Sequence, residues 1–562
     1  MKTKIAILMA AGCIALSSCD DFLTTQSTSS PSDQTFLDSD EAVSATTYPL
    51  YNYAWWGFNE KFYYSVGDGR SNNINAPWSD YIYPYTKLTE QASSPGLHDA
   101  WKSFYSVVAQ ANNTINRIKD FSGPAVTAGA KSQGIAEARF MRGIAYWYIG
   151  SIWNRAVLYE NTSAMVGNYV VPPHRVTDVI EFAIRDLEYA AANLPKSQAN
   201  EGRVTCYSAY GLLSRIYLSM AGLTTDGAYD GSNIATDFNR GTRNTYYLDL
   251  AKKAAVKCME GPYSLMDNYG DLFDVKTWNN NRESVFQLQW IAGPNGSGAD
   301  GCHNPISAFF GWSSMVDDAG WGNATYASYD IIRTYDPAET DRRHYTVTTY
   351  GEFYPEFNKK NGGYTVGVTE VDDNAYKKRC HVKKHVLGKF DDNGVSYKQS
   401  SGVNTYMMRL AEVYLNLAEA ILGNAASTSD AVALEYFNQV RTRAGMPAKN
   451  KIDYDDIHYE RRIELAFEGQ YWYDLLRRAY YQQAEVVNYL NHQDRHAGYE
   501  YDESEPCKYA KTSDATDVST ATIASLQFPL SDVDLGRNPR LSETPVSYEF
   551  GEREVTPADL FN

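Results

Sequence analysis

The run from Glu137 to Trp153, EARFMRGIAYWYIGSIW, sets Phe140, Ile144, Trp147 and Tyr148 on one face at helical spacing, with Gly143 and Ala145 beside them. Large rings alternating with small residues let helices approach closely and interlock, so this stretch demands a helical neighbour. The design recurs. In residues 101–118, Trp101, Tyr105, Val108, Asn112 and Ile115 form a stripe that Phe104 and Val107 widen. In residues 204–222, Ala209, Leu212, Leu213, Ile216 and Met220 repeat it, with Gly222 expected to end the helix. Residues 407–424 and 433–445 follow, with Gly423 and Gly445 as expected stops. The fold class predicted is mainly α, with four helix pairs packed in tetratricopeptide-like fashion. The helices share this design without a clean repeat of about 34 residues.

Between Gly222 and Asn404 the texture changes. A short strand is expected at Val285 to Trp290, and from there to Asp341 Gly, Asn, Asp and aromatic residues dominate. Long irregular loops in a compact chain are uncommon unless they carry function, so this segment reads as a loop-rich lobe on a helical scaffold. The 45 Tyr and 11 Trp are the unusual feature of the composition. Two turn-rich places set some of these rings beside polar side chains. One holds Arg70, Asn72, Asn73, Trp78, Asp80, Tyr81 and Tyr83; the other holds Trp312 and Trp321, each beside glycine, with Asp317, Asp318 and Asn323 near. Exposed rings give flat platforms for the C–H face of a sugar, and amide or guanidinium donors beside them grip its hydroxyls. The same rings could instead cap the cores of their own loops.

A net charge of −17 argues against nucleic acid or anionic lipid as ligand, because such binding draws on Lys and Arg neutralising phosphates. Cys206, Cys258, Cys302, Cys380 and Cys507 are scattered with no CxxC pair, which is no disulfide framework, although one bridge is compatible with an exported chain. The start is informative. Lys2 and Lys4 precede an apolar stretch from Ile5 to Leu16, then Ser17, Ser18 and Cys19. That is the pattern of a signal peptide, too short to span a bilayer, and its ending resembles a bacterial lipobox. Cys19 would then carry the lipid. Several acyl chains at about 0.8 kcal/mol per buried methylene anchor durably, whereas one chain does not. Thr24 to Asp40 is rich in Ser, Thr and Asp and reads as a flexible tether.

Catalytic motifs are missing: there is no HExxH, GxSxG, Walker A loop or strand-to-helix GxGxxG. His381 and His385 are four apart, but Lys and Arg surround them and would repel a cation, so no metal site is expected there. Glu412, Asn416 and Glu419 share a helix stripe and read as polar groups facing solvent or pairing with arginine. Glu460, Glu464 and Glu468 stack at i, i+4, i+8, which is unfavourable unless cations intervene. Arg441, Arg443, Arg461 and Arg462 are the expected partners in a structural ion-pair network.

Six ordered segments, CDDFL after the lipobox, ARFMRGIAYWYIG, YSAYGLLSRIYLSMAG, MRLAEVYLNLAEA, FNQVRTRAG and ERRIELAFEGQYWYDLLRR, resemble the SusD/RagB family of surface lipoproteins of Bacteroidetes. The resemblance spans nearly the whole mature chain. It implies four tetratricopeptide-like units under an irregular lobe, on a protein that sits as a lid on a SusC-like TonB-dependent outer-membrane transporter and delivers oligomers to it. Asp20 and Asp21, right after the lipidated Cys, resemble the family's signal for the outer face. Local departures are WNRAVLY after the YWYIG helix, Tyr471 after the Glu-Gly pair, and NPRL at Asn538 to Leu541. The family's glycan-binding rings come from two regions matching the two aromatic clusters, which carries over Trp78, with Arg70 beside it, and Trp312 or Trp321. The organisation expected is signal peptide 1–18, lipidated tether 19–40, N-terminal helical part 41–222, loop-rich lobe 223–404 and C-terminal helical part 405–562.

The reading is a non-enzymatic capture protein for oligosaccharides, facing the cell exterior, with no cofactor and the question of a structural calcium open. Oligopeptide capture in the same lid role, a surface glycoside hydrolase, and a purely structural partner of the transporter are the alternatives. Shortening the Thr24 to Asp40 tract is expected to impair uptake of ligand by cells while leaving binding by the purified protein unchanged; equal uptake would remove the tether role.

Overall fold

The computed structural model describes residues 37–76, 79, 81–293, 301–310, 314–316, 325–369, 377–396 and 400–562. Its main helices are α1 Leu97–Phe121, α2 Ala128–Trp153, α3 Val176–Asn193, α4 Cys206–Leu223, α5 Thr245–Met259, α6 Thr340–Thr346, α7 Leu410–Leu422, α8 Ala431–Arg443, α9 Tyr454–Glu464 and α10 Tyr471–Ala479. Strands are short and pair only in twos: β1 Ile74–Asn75, β2 Ser284–Leu288, β3 Tyr326–Ala327, β4 Thr405–Arg409, β5 Gly498–Tyr501 and β6 Tyr509–Ser513. The expected mainly helical class holds.

Side-chain caps mark where the helices begin. Thr127 accepts from Ala130 N at the start of α2, Asp430 from Val432 N and Ala433 N at α8, and Asp453 from Asp456 N at α9. Each satisfies backbone donors that the first turn leaves without partners. The helices then stack in series, α1 on α2, α2 on α3, α3 on α4, α4 on α5, and α5 on α7 across the loop-rich segment. The α2–α3 contact is close at Gly143, where an added Cβ would lie 3.1 Å from the Ala183 carbonyl. α2 is buried on every side from Gly134 to Trp153, more than the single face its periodicity suggested.

Several boundaries differ from expectation. α4 runs through Gly222 to Leu223; that glycine admits Tyr480, whose Cβ would be 2.8 Å from a Cβ placed there. Met407, Met408 and Arg409 belong to β4, and the helix starts at Leu410. β4 pairs antiparallel with β2, which spans Ser284–Leu288 where Val285 to Trp290 was expected. α5 lies inside segment 223–404 yet packs on α4 and α7, so scaffold and loops interleave there. Cys206, Cys258, Cys380 and Cys507 are free thiols.

At the centre of the C-terminal part sits a buried ion cluster. Arg409, fully buried, reaches Glu283 at 2.5 Å, Glu464 at 3.0 Å and Glu468 at 2.7 Å. Arg342 reaches Glu339 at 2.7 Å, Glu460 at 2.7 Å and Glu464 at 3.1 Å. Arg443 adds Glu283 and Glu464, Arg441 adds Glu460, and Lys384 adds Glu468. The five carboxylates Glu283, Glu339, Glu460, Glu464 and Glu468 thus face the five cations Arg342, Lys384, Arg409, Arg441 and Arg443, and the cluster is neutral. Burial pushes the Glu464 carboxyl up, but Arg443, Arg409 and Arg342 outweigh it and hold the group well below the usual carboxylate range. Arg441 and Arg443 pair as expected. Arg461 and Arg462 do not join the ladder: they pair with Asp474 at 2.7 Å and Asp330 at 2.7 Å. Glu412 and Glu419 are buried too, on Arg215, and on Arg243 and Arg477.

A second anchor lies beside this cluster. The buried Asp68 carboxylate accepts from Phe467 N at 2.8 Å, Gly469 N at 2.7 Å and Asn73 Nδ2 at 2.9 Å. Gly67 and Gly469 touch backbone to backbone, since a Cβ on Gly67 would lie 2.3 Å from Gly469. Burial pushes the Asp68 carboxyl from 3.8 to about 6, against the lowering by its three donors.

Replacing Glu464 by Gln removes the buried carboxylate that Arg342, Arg409 and Arg443 share and is expected to cost about 3–5 kcal/mol in denaturant titrations; an unchanged midpoint would show the cluster is not structural. Between pH 3.8 and about 6 the folded chain holds a proton on Asp68 that the unfolded chain has lost. This group's stabilisation is therefore full below 3.8 and disappears as pH rises through 6. Stability measured from pH 4 to 7 should fall less steeply in Asp68→Asn than in the wild type.

Candidate functional site

The two aromatic clusters are far apart in sequence, and the fold joins the segments that flank them. β1 pairs antiparallel with β3, Ile74 opposite Ala327 and Asn75 opposite Tyr326. Ser328 extends the join, donating from its N to Asn73 O at 2.9 Å and from its Oγ to Asn72 O at 2.5 Å. The same Oγ caps the short helix Tyr329–Thr334 through Ile331 N at 3.1 Å. The residues just before the first cluster's tryptophan and just after the second's are therefore one ribbon.

Arg462 of α9 fixes that ribbon from below. Its Nε donates to Asn73 Oδ1 at 3.1 Å, and its Nη2 to Asp330 at 2.7 Å. Asn73 also donates to Asp68, so one buried amide links both anchors to the loops. Arg70 is fully buried. It donates to Ser525 O at 2.5 Å, pairs with Glu90, and lies 4.5 Å over the Phe528 ring and 4.9 Å over Trp472. Asn72, also buried, holds the left-handed φ of 68°, and its side-chain amide has no hydrogen-bond partner among the described residues. Arg70 and Asn73 thus spend their polar groups on the scaffold, which corrects the expectation that they present them to a ligand.

Tyr81 and Tyr83 remain half-buried at the surface. Lys61 Nζ lies 3.9 Å over the Tyr81 ring, and Tyr83 Oη donates to Asp517 at 3.0 Å. Trp78, Trp312, Trp321 and Cys19 lie outside the described residues. Beside β3, Tyr326 carries Arg379 at 5.5 Å from its ring, and Tyr499 of β5 contacts both Tyr326 and Tyr329. Tyr499 Oη donates to Ala327 O at 2.9 Å. These three tyrosines were not singled out from sequence, although the Tyr-x-x-Tyr spacing of Tyr326 and Tyr329 continues the aromatic pattern.

His381 and His385 are buried, and burial pushes them down to about 3 and about 4. His385 Nε2 donates to Phe467 O at 2.7 Å, a packing role. Among the described residues no cluster of three His, Cys, Asp or Glu is placed to hold a metal, and no helix is long and apolar enough to cross a membrane.

The chain matches the SusD family model over residues 264–546, and over 21–218 a model described as starch-binding, associating with outer membrane. A SusD-like protein of Bacteroides ovatus is 36% identical over 575 residues, covering 98% of this chain and 99% of its own. A crystal structure solved with xylogluco-oligosaccharide aligns at TM-score 0.78 and 34% identity, covering 91% of this chain and 100% of the other. A laminarin binding SusD-like protein aligns at TM-score 0.62 and 19% identity over 89% of this chain and 98% of its own, a likeness of fold. With a family match over half its length and a relative aligned end to end, this chain belongs to the SusD family.

Proposed function

We infer that the protein captures oligosaccharides at the outer membrane and delivers them, uncleaved, to a SusC-like TonB-dependent transporter, held there by lipid on Cys19. The β1–β3 pairing carries this reading, because it fastens the flanks of two tryptophan-bearing loops into one ribbon. The 34% identical structure solved with xylogluco-oligosaccharide supports a saccharide as ligand class. Trp78, Trp312 and Trp321 supply the sugar platforms, with Tyr81 at the rim. A scaffold this heavily tied suits capture: the flanks, residues 72–75 and 326–328, are held in place before the ligand arrives, so less ordering entropy is lost there on binding. Weak binding is also functional, since a carrier that holds too tightly cannot hand over.

Calorimetry with xylogluco-oligosaccharides and other neutral glycans tests this. Trp78→Ala combined with Trp321→Ala is expected to raise Kd at least tenfold, about 1.4 kcal/mol, with melting unchanged. An unaltered Kd would dismiss the platforms, and new reducing ends released from any glycan would overturn the non-enzymatic assignment.

A further inference from the structure

On the flank of α1 is a groove of about 380 Å³, within the roughly 300–1,000 Å³ of small-ligand sites. None of the two aromatic loops' residues lines it. Its wall is aromatic. Tyr105 and Tyr159 lie nearly parallel, 5° apart with centroids 6.2 Å apart, and Trp101 leans on Tyr105 at 4.9 Å. Tyr169 stands 54% exposed at its edge. Tyr105 Oη is spent, donating to Val157 O and accepting from Val157 N, which fixes the ring in place.

The groove's charge is opposite to that of the molecule. Lys102 and Arg537 both line it, both are exposed, and neither has an ion-pair partner among the described residues. The one carboxylate there, Asp534, is buried, accepting from Ser531 Oγ at 2.5 Å and paired with His98 Nδ1 at 2.9 Å. In a chain of net charge −17, two uncompensated cations beside a wall of rings select an anion with a flat apolar face. Rings alone would take a neutral sugar; cations alone would take any anion.

We propose that this groove is a second saccharide site, separate from the aromatic loops, that takes uronic-acid sugars. The pyranose C–H face packs on Tyr105, Tyr159 and Tyr169, and the sugar carboxylate meets Lys102 and Arg537. A charge-assisted pair of this kind gives the site its selectivity over neutral sugars of equal length. A polymer carrying both neutral and acidic units would be held at two points, which raises avidity without tightening either site.

The test uses the full-length lipoprotein in detergent, titrated calorimetrically with tetragalacturonate, maltotetraose and an acidic tetrapeptide. Tetragalacturonate is expected to bind at least tenfold tighter than the other two, and to weaken at least threefold between 50 and 200 mM NaCl. Lys102→Ala with Arg537→Ala, and separately Tyr169→Ala, are expected to reduce its affinity at least tenfold; all three positions are exposed or at the groove edge, so melting should be retained. Quenching of Trp101 fluorescence by tetragalacturonate, lost in Trp101→Phe, reads the site directly. The double variant should keep its affinity for xylogluco-oligosaccharide, so failure of this site and failure of the loop site are separately visible. No binding of tetragalacturonate, equal binding by the double variant, or equal binding of the tetrapeptide would each overturn the proposal.

Discussion

Everything that positions the loops leads back to Glu464 and the arginines around it. Arg409 arrives from β4, Arg342 from α6, Arg443 from α8, and Glu464 and Glu460 from α9, so a single neutral cluster ties four elements that sequence keeps apart. Buried ion pairs of this sort contribute little net stability against a hydrophobic alternative, yet removing one partner is severe. Their value here is specificity: the geometry of each guanidinium fork admits one arrangement of the four elements.

From α9 the order is passed outward by two routes. Arg462 reaches Asn73 and Asp330, one on each side of the β1–β3 ribbon. Asp68 reaches the backbone after α9, and the Gly67–Gly469 contact leaves no space for a side chain between them. The described flanks of the two aromatic segments are thus set on a rigid floor.

Much of this was legible in the chain. The glutamate ladder announced its need for cations, and Arg441 and Arg443 lay close enough in sequence to be named. Arg342, Arg409 and Lys384 were not, because tertiary packing delivers them from distant segments and no spacing points to them. Arg70 was misread for the same reason. Set among asparagines and tyrosines it resembles a ligand-gripping residue, and only Glu90, Trp472 and Phe528, brought over it by the fold, make it a core residue. Gly222 read as a helix stop because local sequence cannot show that Tyr480 fills the space above it. The groove beside α1 was hidden likewise. Trp101 and Tyr105 were counted as core stripe, and the cations that complete the site come from opposite ends of the chain.

The packing of α5 directly on α7 has an evolutionary meaning. The loop-rich segment leaves the scaffold and returns to it at neighbouring helices, so its two ends are held together whatever lies between. Lengthening such an excursion costs only the slow logarithm of loop closure. Descendants of this chain can therefore lengthen the turns between Glu283, Arg342, Lys384 and Arg409 without renegotiating the helical frame, provided those residues keep their partners in the cluster.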